Sequence, residues 1–276
     1  MMEKLVALIH RTFTRTIRKG LGLLQATVGD KKCRNLAATY NIGGYKRIYL
    51  VHIRKTGGTT LNNLFLSLGQ KDYQGLYEEL GRVPMHRLIR NGKIFVGWSQ
   101  ALINAGHYYY AFSHIPYHKL KLPDGTFTII CFRDPVRRVI SHYNMLMEYS
   151  RNNIHHPCMV VEGEWLGNSF LDFVARIPKE HLLNQLYMLS EKFDIEEALG
   201  RVREITHVMF TEDYEPGLTG LNRKAGLSLK PMHIRKARYQ ADISCEALEY
   251  LRRKLVKEYQ FLERVKELPK GNQACQ

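Results

Sequence analysis

The chain has 276 residues, and 41 Lys and Arg against 26 Asp and Glu give it a formal net charge of +15. With 45% hydrophobic and 11% aromatic residues it can bury a core that offsets its chain entropy, which excludes a disordered chain, a collagen and a coiled coil. The length fits one or two domains, and the basic surplus favours polyanionic partners (nucleic acid, anionic membrane, phosphorylated nucleotides, acidic glycans) without choosing among them.

Residues 1–35 carry Lys4, Arg11, Arg15, Arg18, Lys19, Lys31, Lys32 and Arg34 against Glu3 and Asp30. Leu5, Leu8, Ile9, Phe13, Ile17, Leu21 and Leu24 recur at helical spacing and predict a basic amphipathic helix. Such a helix suits an anionic membrane surface; the plainer reading docks it on the body by its apolar stripe. The apolar patch at 5–9 is too short for a secretory signal, and the chain has no 18-residue apolar run. The five cysteines, Cys33, Cys131, Cys158, Cys245 and Cys275, are scattered and form no C-x-x-C pair. A reducing, cytoplasmic location is therefore expected, peripheral to a membrane if 1–35 binds one.

Residues 47–53 read R-I-Y-L-V-H-I and predict a strand buried on both faces. Leu61, Leu64, Phe65 and Leu68 stand at i, i+3, i+4 and i+7, predicting a helix that stops at Gly69. Further strands are predicted over 94–98, 108–113, 126–132 and 205–210. Helices are predicted over 135–149, 169–176, 181–190, 195–203, 214–224 and 245–268. Strands alternating with helices give an α/β domain with a central parallel sheet flanked by helices. The domain is expected to span 47–268, after a helical extension at 1–46 and before a tail at 269–276. Residues 151–167, with His155, His156, Pro157 and Gly163, lack periodicity and read as a surface excursion beside the active site.

The densest chemistry lies between the first strand and its helix, at Lys55-Thr56-Gly57-Gly58-Thr59-Thr60. Gly57 and Gly58 let backbone N–H groups turn inward, and a helix N-terminus there makes an anion site. Thr56, Thr59 and Thr60 add hydroxyl donors and Lys55 adds a point charge. The loop is not a Walker A motif, because Lys55 precedes the glycines. The bland alternative is a βα turn with glycines for close packing.

A second site is expected after the strand over 126–132, at Arg133-Asp134-Pro135. Asp134 suits a helix N-cap and Pro135 the first helical position. Arg133 projects from the strand end and Ser141 lies two turns into the helix, so the two can grip a second phosphate. The alternatives are an Arg133–Asp134 ion pair and a neutral surface serine.

H-I-R-K-T-G-G-T-T-L at 52–61 resembles the H-I-P-K-T-G-G-T-S-L motif of carbohydrate sulfotransferases. F-R-D-P-V-R-R-V-I-S-H-Y at 132–143 resembles their R-D-P-x-x-R-x-x-S-x-Y motif. The nearest group is the histidine-dependent one, with heparan 2-O- and 6-O-type and bacterial enzymes. The resemblance runs from 47 to 262; Asn184-Gln185 and 210–214 also fit, and 1–46 has no counterpart. It implies a P-loop-kinase-like sulfotransferase fold and the donor 3′-phosphoadenosine 5′-phosphosulfate, with no metal. The 5′-phosphosulfate would sit in the 55–60 loop and the 3′-phosphate on Arg133 and Ser141. Arg54 departs from the pattern, where the family has Pro.

Sulfuryl transfer needs a base for the acceptor hydroxyl and a cation for the leaving phosphate. Lys55 is placed for the second task. In the resembling group a His after a strand is the base, which makes His114, following the strand over 108–113, the expected base here. His52 is expected to orient a neighbour. The acceptor is expected to be a glycan or glycolipid hydroxyl, with acidic acceptors suiting the charge. The basic stretch Arg223, Lys224, Lys230, His233, Arg235, Lys236 and Arg238 is a solvated face or a loop over the ligand. Nucleic acid is not expected, since aromatic–basic interleaving is absent. The alternatives are a nucleotide-dependent kinase and a non-catalytic basic anion-binding protein.

Overall fold

The computed structural model describes residues 30–69, 72–232 and 239–268. Most of the 1–35 segment, 269–276, and His233, Arg235, Lys236 and Arg238 of the basic stretch lie outside them. A helix over 30–38 (α1) sends Cys33 and Ala37 into the core, followed by Tyr40 and Ile42. The stretch before the first strand is thus built into the body.

Among the described residues six strands form one sheet: β1 (Arg47–Val51), β2 (Arg87–Arg90), β3 (Lys93–Gly97), β4 (Tyr110–Ser113), β5 (Thr126–Phe132) and β6 (His207–Phe210). Their order is β2-β3-β4-β1-β5-β6. Every neighbouring pair is parallel except β2–β3. The parallel sheet expected from the sequence is therefore mixed at one edge. There a hairpin turns on Asn91 and Gly92, both at positive φ (45° and 67°), the backbone that a tight two-residue turn requires.

Helices α2 (Gly58–Ser67) and α3 (Tyr73–Arg82) connect β1 to β2, and α4 (Gln100–Ala105) connects β3 to β4. Between β5 and β6 come α5 (Pro135–Arg151), α6 (Met159–Glu162), α7 (Phe170–Arg176), α8 (Lys179–Leu182), α9 (Asn184–Tyr187) and α10 (Ile195–Glu204). Then follow α11 (Tyr214–Ala225) and α12 (Cys245–Glu267). β1 is buried along Ile48, Tyr49, Leu50 and Val51, and β5 along Phe127, Ile129, Ile130, Cys131 and Phe132. Apolar burial on both faces is what central parallel strands require. The chain leaves β1 toward β2, β3 and β4, and leaves β5 toward β6. The winding reverses between β1 and β5, the place where open α/β sheets bind ligands.

Two expectations need correction. The helix over 181–190 is broken, because Leu183 leaves helical geometry (φ −99°, ψ 43°) and separates α8 from α9. The 151–167 segment is not wholly a surface excursion, since it contains α6 and buries Glu162, Trp165 and Leu166. Asp134 does cap α5, accepting from the Arg137 N–H at 2.8 Å, with Pro135 in the first position. One turn on, Arg138 is fully buried. It donates to the carbonyls of His181 and Leu182, and its Nε lies 3.8 Å from Oε2 of the equally buried Glu258 of α12. Cys33, Cys131, Cys158 and Cys245 are free thiols. Among the described residues no helix is long and apolar enough to cross a membrane.

Candidate active site

The C-terminal ends of β4, β1 and β5 lie side by side, and each is followed by chemistry. After β1, Lys55 (φ 66°) and Gly57 (φ 81°) adopt left-handed backbone and turn the chain into α2. No side chain caps that helix, so its first N–H groups stand without the usual capping acceptor. Thr59 is exposed, and Lys55, Gly57 and Thr60 are half-buried. Thr56 differs from the expectation: it is buried and its hydroxyl donates to the Ile53 carbonyl at 3.1 Å. That hydroxyl braces the loop.

Gly58 is needed for a specific reason. A Cβ there would lie 2.0 Å from Cδ2 of His52. The His52 ring fills that place, with Nδ1 accepting from Asn62 Nδ2 at 3.3 Å. Asn62 is fixed in turn by the Tyr110 hydroxyl, 2.7 Å from its Oδ1. Burial, then the charges of neighbouring groups, hold the His52 pKa well below the usual range. His52 is a neutral scaffold.

His114 follows β4 directly. Its Nδ1 lies 2.7 Å from the His52 carbonyl oxygen. A carbonyl only accepts, so Nδ1 carries the proton and Nε2 keeps its lone pair. The two imidazole rings lie 4.2 Å apart, centre to centre. Burial first, and the Arg54 guanidinium second, push the His114 pKa down to about 4. His114 borders a cavity of about 210 Å³ with Arg54, Lys119, His181, Asn184 and Tyr187.

Arg54 forms an ion pair with Glu162. The other oxygen of that carboxylate accepts from Nε2 of the buried His142 at 2.7 Å. His142 is held down to about 4, by burial first, so the pair is a neutral imidazole on a carboxylate. Glu162 and His142 were not foreseen, since nothing in the sequence marks a carboxylate of α6 as buried.

After β5, Arg133 is half-buried, and its Nη1 donates to the Lys55 carbonyl at 3.1 Å. Asp134 is engaged elsewhere, capping α5 and accepting from the Tyr259 hydroxyl at 2.8 Å. Arg133 therefore faces the 55–60 loop. Ser141 sits two turns along α5 and is half-buried. A cavity of about 370 Å³ lies beside Arg133, bordered by Arg137, Phe210, Glu212, Tyr259 and Lys266. Among the described residues no three His, Cys, Asp or Glu side chains form a group that could hold a metal ion.

Behind both loops stands α9. Asn184 Oδ1 accepts from the Arg54 N–H at 3.3 Å. Gln185 Oε1 accepts from the Arg133 N–H at 2.8 Å, and its Nε2 donates to the Arg133 carbonyl at 2.9 Å. The resemblance picked out Asn184-Gln185 without giving them a role, and the residues alone show only two amides inside an apolar run of Leu182, Leu183, Leu186, Met188 and Leu189. Comparison with protein-family models and with curated proteins gave no match.

The depressed pKa of His114 has a measurable consequence. If His114 is the base, protonation removes it, and burial with the Arg54 charge pushes its pKa down to about 4. The acid limb of kcat/KM, which reports the free enzyme, is expected well below the ordinary histidine value of about 6.5. Arg54→Ala removes a cation that lowers the His114 pKa and leaves the upward pull of Glu162 unopposed, so it should move that limb upward. A wild-type limb centred near 6.5, unmoved in Arg54→Ala, would show that another group is titrating.

Proposed function

We propose that the chain is a sulfotransferase that moves a sulfuryl group from 3′-phosphoadenosine 5′-phosphosulfate to a hydroxyl of a glycan or glycolipid. The observation that carries this reading is the meeting of three strand ends: a glycine loop with Lys55, an arginine bonded to that loop, and a histidine with one free ring nitrogen. The two motif resemblances supply the choice of donor. The donor set suits an anion at both ends, because Lys55, the first N–H groups of α2, Thr59 and Thr60 flank one end and Arg133 the other.

The donor brings a sulfuryl group on a phosphate leaving group. The chain's residues do the rest. His114 Nε2 accepts the acceptor hydroxyl proton, while the His52 carbonyl holds the ring tautomer. Lys55 and the α2 N–H groups balance charge that grows on the leaving phosphate oxygen. Arg133 and Ser141 hold the 3′-phosphate and fix the donor's direction. The acceptor lies in the cavity beside His114 and Arg54.

The test is nucleotide choice. Calorimetry should show 3′,5′-adenosine bisphosphate binding about 10- to 150-fold more tightly than 5′-AMP, as expected of a charge-assisted contact. Arg133→Ala should erase most of that difference. Equal affinities in the unmodified chain would remove the donor assignment. A sulfation screen on glycans and glycolipids then identifies the acceptor.

A further inference from the structure

We propose that Asn184-Gln185 is a gauge that fixes the spacing of the two anion loops and so selects a nucleotide carrying phosphate at both its 5′ and 3′ ends. The inference rests on the donor reading above and adds residues that touch neither phosphate.

The two side chains are adjacent in sequence, yet each holds a different loop. Asn184 fastens the backbone of Arg54, one residue before Lys55. Gln185 fastens Arg133 through both its N–H and its carbonyl, as a neighbouring strand would. A single bond leaves a residue free to swivel; a pair on N–H and carbonyl fixes the peptide plane on each side. The Arg133 side chain then starts from a set position, and its Nη1 reaches the Lys55 carbonyl. Both amides are themselves anchored. Asn184 Nδ2 donates to the Glu180 carbonyl at 3.0 Å. The Gln185 N–H donates to Oε1 of the buried Glu258 at 2.8 Å. The distance between the loops is thus set by two consecutive residues of one short helix braced against α12. A rigid separation favours a ligand whose two anionic ends match it, because a preformed site spends no binding free energy on ordering.

The test uses the full chain with 3′,5′-adenosine bisphosphate and 5′-AMP in calorimetry. Gln185→Met keeps the side-chain length and removes both polar bonds. It should lower the preference for the bisphosphate at least fivefold while 5′-AMP affinity changes less than about threefold. In Arg133→Ala/Gln185→Met the preference should be no lower than in Arg133→Ala alone, since both changes act on one contact. Hydrogen exchange at the Arg133 amide should accelerate in Gln185→Met without any nucleotide present. If Gln185→Met does not fold, Asn184→Ala serves. It should weaken both nucleotides alike, by about three- to tenfold, because it loosens the 5′ loop. A folded Gln185→Met that keeps the wild-type preference, or a folded Asn184→Ala that binds both nucleotides as before, overturns the gauge. Equal affinity of the unmodified chain for the two nucleotides instead overturns the donor reading, and the gauge falls with it.

Discussion

His114→Ala is expected to lower turnover on a verified hydroxyl acceptor by about 10²–10⁴-fold, the usual share of general-base catalysis. Donor affinity should stay within about twofold, since the imidazole lines a cavity that no residue of the 55–60 loop borders. The geometry separates this residue from Lys55. His114 is neutral at working pH, with its proton on Nδ1 committed to the His52 carbonyl. In the proposed mechanism Lys55 faces the leaving group in ground and transition states, so Lys55→Ala should lower turnover and weaken donor binding together. The measurement is single-turnover kinetics beside calorimetry of each variant. Near-normal turnover in His114→Ala would place the base elsewhere. His52 is a poor substitute, because its ring is packed over Gly58 and bonded to Asn62. Glu78 and Glu79 are poor ones too, being paired with Arg82 and Arg90.

Glu258→Ala is expected to destabilise the fold by about 3–5 kcal/mol, the cost of leaving a buried charge without its partner. For a domain of this size that is a fall of roughly 10 °C in Tm. Arg138 and Glu258 are both fully buried, and burial raises the Glu258 pKa against the pull of Arg138. Removing the carboxylate strands the guanidinium and also takes the acceptor from the Gln185 N–H. Replacing both partners by apolar residues, as in Arg138→Met/Glu258→Leu, should recover much of the loss, because no charge is left buried. Denaturant unfolding of the three variants decides it. A loss under about 1 kcal/mol in Glu258→Ala would mean the pair carries no such penalty.

The sequence was most legible where apolar patterning and local chemistry agree. β5 runs from Thr126 to Phe132 as predicted, and α5 starts at Pro135 behind an Asp134 cap. α12 was legible to within one residue, because a long amphipathic stripe with a Ser244 cap leaves little freedom. α3 was missed although Asp72, Leu76 and Leu80 stand at a cap and along one helical face. β3 was predicted over 94–98, but β2 and the turn joining it to β3 were missed although Asn91-Gly92 is a strong turn signal. Both signals were local and readable. The break at Leu183 and the burial of Glu162 were not, because they depend on what α9 and α6 meet from distant parts of the chain. In the site, the loop glycines, Arg133 and His114 were named from the sequence, and the structure sets them after the C-terminal ends of three neighbouring central strands. The hydroxyl of Thr56 turned inward to the Ile53 carbonyl, which no pattern of residue types reveals.

The central place of β1 has a consequence for synthesis of the chain. Its two partners, β4 and β5, both come later in sequence. The bonds that build the site span wide separations: 62 residues from His114 to His52, 78 from Arg133 to Lys55, and 130 from Arg54 to Asn184. A ribosome emits the glycine loop long before anything exists to hold it. Closing such long loops comes late and is slow, since their entropy is lost before the contacts reward it. A nascent chain that ends before α12 lacks Glu258 and with it the anchor of the Gln185 N–H. The proposed anion site is therefore complete only after the final collapse of the whole sheet, and an excised piece carrying β1, its loop and α2 is not a miniature of it.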